Sequence, residues 1–185
     1  MLCQMIGCMA VWLVLFPPAG LLGRPLGEWK AMLESRHRTE RLLAAHVLAI
    51  YADAGPLASL AESKDPAARY WFAVGVRHRR DASPALLEAC VRLLEDEDLV
   101  TRLAAAAALL SHNRVGGDVE AAFRSALKTK QPGILLEALT SLYEQPSFAR
   151  RFRAEIEAIL NEGNANPYEV RTLARKVLDA ASAAE

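Results

Sequence analysis

Four histidines and three cysteines are the side chains of this 185-residue chain best suited to metal binding or catalysis. The histidines are His37, His46, His78 and His112, and their spacing matches none of the compact motifs in which ligands recur within one helix or turn. Histidines near helix ends are favoured by the negative end of the helix dipole without any ligand. We therefore expect no metal, no cofactor and no catalytic residue in this chain.

The cysteines lead to the same expectation. Cys3 and Cys8 lie near the N-terminus, which leaves Cys90 alone in the body of the chain. No internal disulfide can therefore stabilise the body. Cys90 lies between Leu87 and Leu94 on an apolar helical stripe, and a thiol buried among apolar side chains is unreactive. We expect Cys90 to be a packing residue.

The overall charge excludes one class of partner. The 22 basic and 22 acidic side chains leave a formal net charge of zero. Binding to nucleic acid needs an excess of positive charge, so we expect no nucleic-acid partner. Two local charge clusters remain, residues 77–80 (RHRR) and residues 95–98 (EDED). Each is either a surface for a partner or a solvated turn.

Two adjacent aromatic residues point instead to a protein partner. Tyr70 and Trp71 are consecutive, and consecutive residues on a helix point about 100° apart, so the two rings cannot share one face. If one packs inward, the other is available as an anchor for a bound protein. With the neighbouring cluster this predicts a partner-binding set of Tyr70, Trp71, Arg77, Arg79 and Arg80. The alternative is that both rings pack between helices.

The elements that position these side chains are predicted to be helices. From Arg24 onward the apolar residues recur at helical spacing, and no long window alternates between apolar and polar. One predicted helical face carries Phe148, Phe152, Ile156, Ile159 and Leu160. Turn-forming residues separate the apolar runs at 64–66, 95–98, 131–133 and 163–167. The predicted fold class is all-α.

A single column of residues indicates a repeat. Aligned second helices place Arg41, Arg69, Arg102, Leu135 and Arg171 at one position, with separations of 28, 33, 33 and 36 residues. Three positions later the column reads Ala44, Phe72, Ala105, Ala138 and Ala174, and seven positions later Leu48, Val76, Leu109, Leu142 and Leu178. The small residues let neighbouring helices approach closely, and the larger ones fill the space between layers.

Acidic residues precede two of these arginines. Asp65 and Asp98 stand at the starts of second helices, where a carboxylate stabilises the free N–H groups. We expect Arg41, Asp65, Arg69, Asp98, Arg102 and Arg171 to form a structural ladder in which each arginine reaches an acidic turn of its own or of the next repeat. Residues 24–185 are then an α-solenoid of about five antiparallel helix pairs.

The motif of an aspartate, sometimes a proline, then an arginine and an alanine-rich helix resembles the HEAT repeat. Residues 65–69 (DPAAR) and 98–102 (DLVTR) carry it, and residues 167–171 (PYEVR) are a weaker copy. The resemblance implies a HEAT-like superhelix that acts as a non-enzymatic scaffold for a protein partner.

A narrower resemblance rests on residues 40–45 (ERLLAA) and 69–76 (RYWFAVGV), which look like the HEAT-like extension that follows the catalytic domain of some bacterial sulfatases. It implies, as an alternative, a detached C-terminal region of a sulfatase-like hydrolase. It carries over no catalytic residue, because no cysteine or serine here is followed by the required proline and arginine. A remote alternative is a lyase of the kind whose HEAT-like repeats handle bilin chromophores.

The N-terminal segment, residues 1–23, differs from the rest because it carries no charged residue. Its apolar centre has the length of a signal-peptide core, but no lysine or arginine precedes it, and Pro17 and Pro18 interrupt it early for a membrane-spanning helix. It is a signal peptide or anchor, an apolar helix lying on the first repeat, or the product of a misassigned start codon. Export or anchoring follows from the first reading and a cytoplasmic location from the others. Membrane contact is expected only through this segment.

Overall fold

A computed structural model describes residues 23–52, 54–162 and 165–184 of the chain. These residues form helices joined by short turns, and no strand occurs among them. The all-α prediction is confirmed. The expectations for the N-terminal segment fall almost wholly on residues 1–22, which lie outside the described ranges.

The helices follow one another with connections of a few residues. In chain order they are α1 (Leu26–Met32), α2 (Arg38–Tyr51), α3 (Ala54–Ala61), α4 (Pro66–Arg77), α5 (Pro84–Leu93), α6 (Leu99–Ser111), α7 (Gly117–Leu127), α8 (Pro132–Tyr143), the short α9 (Pro146–Ala149), a 3-10 turn (Arg150–Phe152), α10 (Arg153–Asn161) and α11 (Tyr168–Ala183).

Local sequence explains where the helices begin. The Asp65 carboxylate accepts a hydrogen bond from the backbone N–H of Ala67, 3.1 Å away, and the Asp98 carboxylate accepts one from Thr101 at 2.8 Å. Each satisfies an N–H group that has no partner within the helix. Pro66, Pro84 and Pro132 lie in first turns, where proline is tolerated because its missing N–H would have been unpaired.

The helices pack in adjacent pairs. Contacts join α1 to α2, α3 to α4, α5 to α6, α7 to α8, and α10 to α11. The second members also pack on one another, α2 on α4, α4 on α6, and α8 on α11, whereas α6 touches α7 more extensively than α8. In the alanine column Ala44, Phe72, Ala105, Ala138 and Ala174 are fully buried.

Helix α6 is the innermost element. Residues 103–110 are all buried, so this helix has no solvent-facing side along its centre. A helix that is apolar all round must be surrounded by other elements, here α4, α5, α7 and α8. Five successive alanines, residues 104–108, let those neighbours approach from every side.

The predicted helical face from Phe148 to Leu160 is not one continuous helix. The 3-10 turn interrupts it between α9 and α10. The turn accompanies an aromatic cluster in which the Phe148 and Phe152 rings lie 5.1 Å apart and both pack near Phe123. Phe148, Phe152 and Ile156 are buried as expected, but the tighter turn changes the spacing along the backbone.

Candidate functional site

The arginines of the predicted ladder make the same hydrogen bond in three successive pairs. The Nη1 atom of Arg41 donates to the carbonyl of Ser35, and that of Arg69 to the carbonyl of Ser63, each at 2.9 Å. Arg102 donates to the carbonyl of Asp96 at 2.5 Å. In each case the carbonyl lies six residues before the arginine. The three guanidinium groups therefore fix the turn that precedes their own helix.

Two of these arginines also reach the next helix pair. Arg41 lies 3.4 Å from the Asp65 carboxylate. Arg69 forms a two-pronged ion pair with Asp96, with distances of 2.6 and 2.9 Å. The side chains of Arg69 and Asp96 are only 12% and 5% exposed. Such planar, paired contacts are the strongest that a guanidinium makes with a carboxylate.

Asp96, rather than Asp98, is the partner of Arg69. Asp98 is occupied by the N–H and hydroxyl of Thr101 at the start of α6. The hydrogen bond from Arg69 is the largest influence that lowers the pKa of Asp96, and burial opposes it. The same hydrogen bond raises the pKa of Arg69. Sequence reasoning expected the arginines to reach acidic turns but named Asp98 for the ladder, and it did not single out Asp96 within residues 95–98.

A second repeated hydrogen bond escaped the sequence analysis. At the start of four helices, the side-chain oxygen of the residue two positions before the N-cap accepts a hydrogen bond from the backbone N–H of the N-cap residue. The acceptor and N-cap residues are Ser35 and His37, Ser63 and Asp65, Asp96 and Asp98, and Thr129 and Gln131. The four acceptors share a side-chain oxygen and not a residue type. A search for oxygen-bearing residues at the repeat period would have found them.

The ladder changes in the second half of the chain. Arg102 makes no ion pair within the described ranges, and the turn it would reach, residues 128–130, reads KTK. Leu135 replaces arginine in the following pair, and Arg171 lies half-buried in α11. Ion pairs between first helices appear instead, Arg124 with Glu155 and Arg151 with Glu120.

We call the boundary between the α5–α6 pair and the α7–α8 pair the middle junction. Apolar contacts join the two pairs here, and no hydrogen bond or ion pair links them directly in the described part of the chain. Each of the other three boundaries carries at least one such polar contact. A small cavity of about 180 Å³ lies at the middle junction and is lined by Arg102 and Asp118 among others.

The predicted partner-binding residues Tyr70 and Trp71 are both half-buried on α4. Their rings contact each other at 5.4 Å, and Trp71 also packs edge-on against His46 of α2 at 4.2 Å. Burial lowers the pKa of His46. Burial, assisted by Glu137, raises the pKa of Tyr70 to about 12. The two rings therefore bridge neighbouring helices.

Arg77 lies at the end of α4 and pairs with one carboxylate of α8 and with that of the residue that follows α8. Its guanidinium is 3.2 Å from Glu137 and 2.7 Å from Glu144, and its side chain is 11% exposed. Since α4 and α8 both flank α6, this contact passes over α6 and helps to bury it. Arg77 is therefore engaged within the molecule.

Arg79 and Arg80 follow in the turn after α4. Arg79 donates to the carbonyl of Ala52 at the end of α2, whereas Arg80 is exposed. The next pair supplies equivalent contacts, because Nε2–H of His112 donates to the carbonyl of Val76 at 3.0 Å and Ser111 to that of Arg77 at 3.3 Å. Side chains from one pair thus cap the second helix of the preceding pair.

These contacts gather the ends of α2, α4 and α8 on one side of the molecule. Ile50, Tyr51 and Tyr143 lie there with 40%, 43% and 47% of their surface exposed. We call these three residues together with Arg80 the C-terminal edge. Exposed aromatic rings and an arginine are residue types that are enriched in protein-binding surfaces.

The cysteine in the described part of the chain is inaccessible. Cys90 is fully buried in α5, and burial raises the pKa of its thiol to about 12. No group of three or more histidine, cysteine, aspartate or glutamate side chains that could hold a metal ion occurs among the residues described. No helix within the same ranges is long and apolar enough to cross a membrane.

An open groove of about 430 Å³ lies between the α7–α8 turn and α10. We call it the junction groove. Leu127, Leu135 and Ala158 give it an apolar wall, and Lys128, Thr129 and Glu162 add polar groups.

No protein-family model matches this chain. A search of curated proteins also finds no match.

Proposed function

We propose that the chain is a HEAT-like α-solenoid of about five antiparallel helix pairs and that it acts as a non-enzymatic scaffold for a protein partner. The observation that carries this proposal is the hydrogen bond from Arg41, Arg69 and Arg102 to the carbonyl six residues earlier. A bond that recurs at the repeat period in three successive pairs supports a common plan for those pairs, as stacked repeats require.

The surroundings of the reactive side chains support a structural role. The Cys90 thiol is buried with a raised pKa, His46 packs against Trp71, and His112 caps the end of α4. Each of these groups has a packing or capping contact that explains its presence. An enzyme would instead hold such groups in a cleft with access to substrate.

The C-terminal edge is the surface that we propose for the partner. It replaces part of the set expected from sequence, since Tyr70, Arg77 and Arg79 are engaged within the molecule, whereas Arg80 remains available. Tyr51 and Tyr143 offer large rings at a small entropic cost, and Arg80 offers a charge. The favoured partner is a protein with an apolar patch bordered by carboxylates.

The test compares tagged full-length chains as baits in native lysate. The double variant Tyr51→Ser, Tyr143→Ser should lose a protein that the wild-type chain recovers, with unchanged helicity. Tyr168→Ser is the matched control, because Tyr168 is 70% exposed at the start of α11, away from the C-terminal edge. Equal recovery by all three baits, or recovery of no protein by the wild type, would contradict the proposal.

A further inference from the structure

The junction groove lies where other helix pairs hold an arginine. Arg69 connects the carbonyl of Ser63, six residues earlier, to Asp96, 27 residues later. Leu135 occupies the equivalent position in the α7–α8 pair. Thr129 lies six residues before Leu135, and Glu162 lies 27 residues after it. All three residues line the groove.

The lining of the groove suits an arginine side chain. Its volume of about 430 Å³ is within the range of ligand sites. Leu135 and Ala158 can pack against an apolar stem, and Glu162 can receive a guanidinium group. The position of the groove and the chemistry of its walls therefore agree.

The charges around the groove leave one carboxylate available. Glu155 is paired with Arg124. Glu162 is exposed, accepts a bond from the Asn166 amide at 3.2 Å, and makes no ion pair within the described ranges. Lys128 also lines the groove, but its side chain is exposed and can turn toward solvent. The Glu162 carboxylate therefore favours a positively charged ligand.

We propose that the junction groove binds an arginine side chain presented by a protein partner. The guanidinium pairs with Glu162 and with the main-chain carbonyl of Thr129, which is the equivalent of Ser63, while the stem lies on Leu135. Arginine is favoured over lysine because its planar fork can meet a carboxylate and a carbonyl together. That the arginine comes from a protein rests on the proposed function, but the groove itself does not.

The test titrates the isotopically labelled full-length chain with N-acetyl-arginine amide and follows backbone NMR resonances. We expect shifts confined to Thr129, Leu135, Ala158 and Glu162, with a dissociation constant on the order of millimolar for so small a ligand. Glu162→Gln should weaken binding about tenfold or more. N-acetyl-aspartate amide should leave these resonances unchanged. Scattered shifts, or stronger binding of the aspartate probe to Lys128, would overturn the inference.

A second variant fills the groove from within. Leu135→Arg should place a guanidinium beside Glu162 and abolish binding of the arginine probe, whereas Leu135→Met, the uncharged control, should retain it. A folded Leu135→Arg chain that still binds the probe would contradict the inference. If Leu135→Arg does not fold, the exposed Glu162→Gln variant still decides the question. Probe binding without any recovered protein would contradict the proposed function alone, and partner loss at the C-terminal edge without probe binding would contradict this inference alone.

Discussion

Arg77 and Glu137 form an ion pair of 3.2 Å although 60 residues and the whole of α6 separate them in the chain. The pair joins α4 to α8 across the alanine-rich helix that both of them flank. It also lies beside Tyr70, whose pKa Glu137 raises and Arg77 lowers. The surface around Tyr70 and Arg77, on which the sequence predicted a partner, is therefore partly occupied by the protein's own charges.

Removal of the Arg77–Glu137 ion pair should lower the free energy of unfolding modestly. A double-mutant cycle of Arg77→Met and Glu137→Gln should give a coupling free energy of about 1 kcal/mol, because the arginine is largely desolvated but the glutamate is partly exposed. Urea unfolding followed by circular dichroism measures it. In about 1 M salt the coupling should shrink through screening. A coupling of zero at low salt would show that the contact has no energetic role.

Because of the Arg69–Asp96 ion pair, the free energy of unfolding should decrease at acidic pH. Because the folded pKa of Asp96 is lowered, its contribution is fully present above the unfolded value of about 3.9 and is lost as pH falls from about 5 through the folded value. Asp96→Asn should lower the free energy of unfolding at pH 7 by about 2 to 4 kcal/mol. As the pH falls, the free energy of unfolding of this variant should then decrease less than that of the wild type. Chemical denaturation between pH 3 and 7 measures both effects. Glu157→Gln, an exposed glutamate on α10, is the control and should leave the profile unchanged.

Gly75 should not tolerate a methyl group. An added Cβ would lie 2.7 Å from the carbonyl oxygen of Ala49 and 3.1 Å from its Cα, so α2 and α4 would have to separate. Gly75→Ala should lower the free energy of unfolding by about 1 to 3 kcal/mol. Gly133→Ala is the control, because a methyl there meets no atom within 4 Å, and it should raise stability by up to about 1 kcal/mol. Equal effects of the two substitutions would refute the close approach of α2 and α4.

Cys90 should resist alkylation in the folded chain. Its thiol is buried, and with a pKa of about 12 almost none is thiolate at pH 8. In a Cys3→Ser, Cys8→Ser chain, iodoacetamide should label Cys90 only as fast as the protein opens, with a rate that rises steeply in denaturant. Mass spectrometry measures the rate. Rapid labelling in native buffer would show that the thiol is reachable.

The middle junction should accept a new ion pair. Thr129 holds the place that Asp96 holds for Arg69, and Arg102 makes no ion pair within the described ranges. Thr129→Asp should raise the free energy of unfolding by up to about 1 kcal/mol. The aspartate should also accept the hydrogen bond from the backbone N–H of Gln131. Thr129→Asn keeps that bond without the charge and should have no such effect. Equal stability of the two variants would argue against the equivalence of Thr129 and Asp96.

The regular part of this architecture was readable from the sequence because it repeats. The arginine column and the alanine stripe recur at nearly constant spacing, and helical periodicity alone predicted the fold class. The sequence did not identify the partner of Arg69, because Asp96 and Asp98 are only two residues apart. In the structure Asp98 accepts the capping hydrogen bond from Thr101, and Asp96 pairs with Arg69. The contact between Arg77 and Glu137 follows no local period, because it joins α4 to α8 across 60 residues of sequence.

The absence of direct polar links at the middle junction has a mechanical consequence for the residues described. Apolar contacts impose fewer directional constraints than ion pairs, which fix the relative positions of both partners. We therefore expect the connection between Ser111 and Gly117 to resist rotation less than the other boundaries, and the ion pair of Arg77 with Glu137 spans it from α4 to α8. High salt screens that ion pair and should leave the two sides of the junction held mainly by apolar contacts.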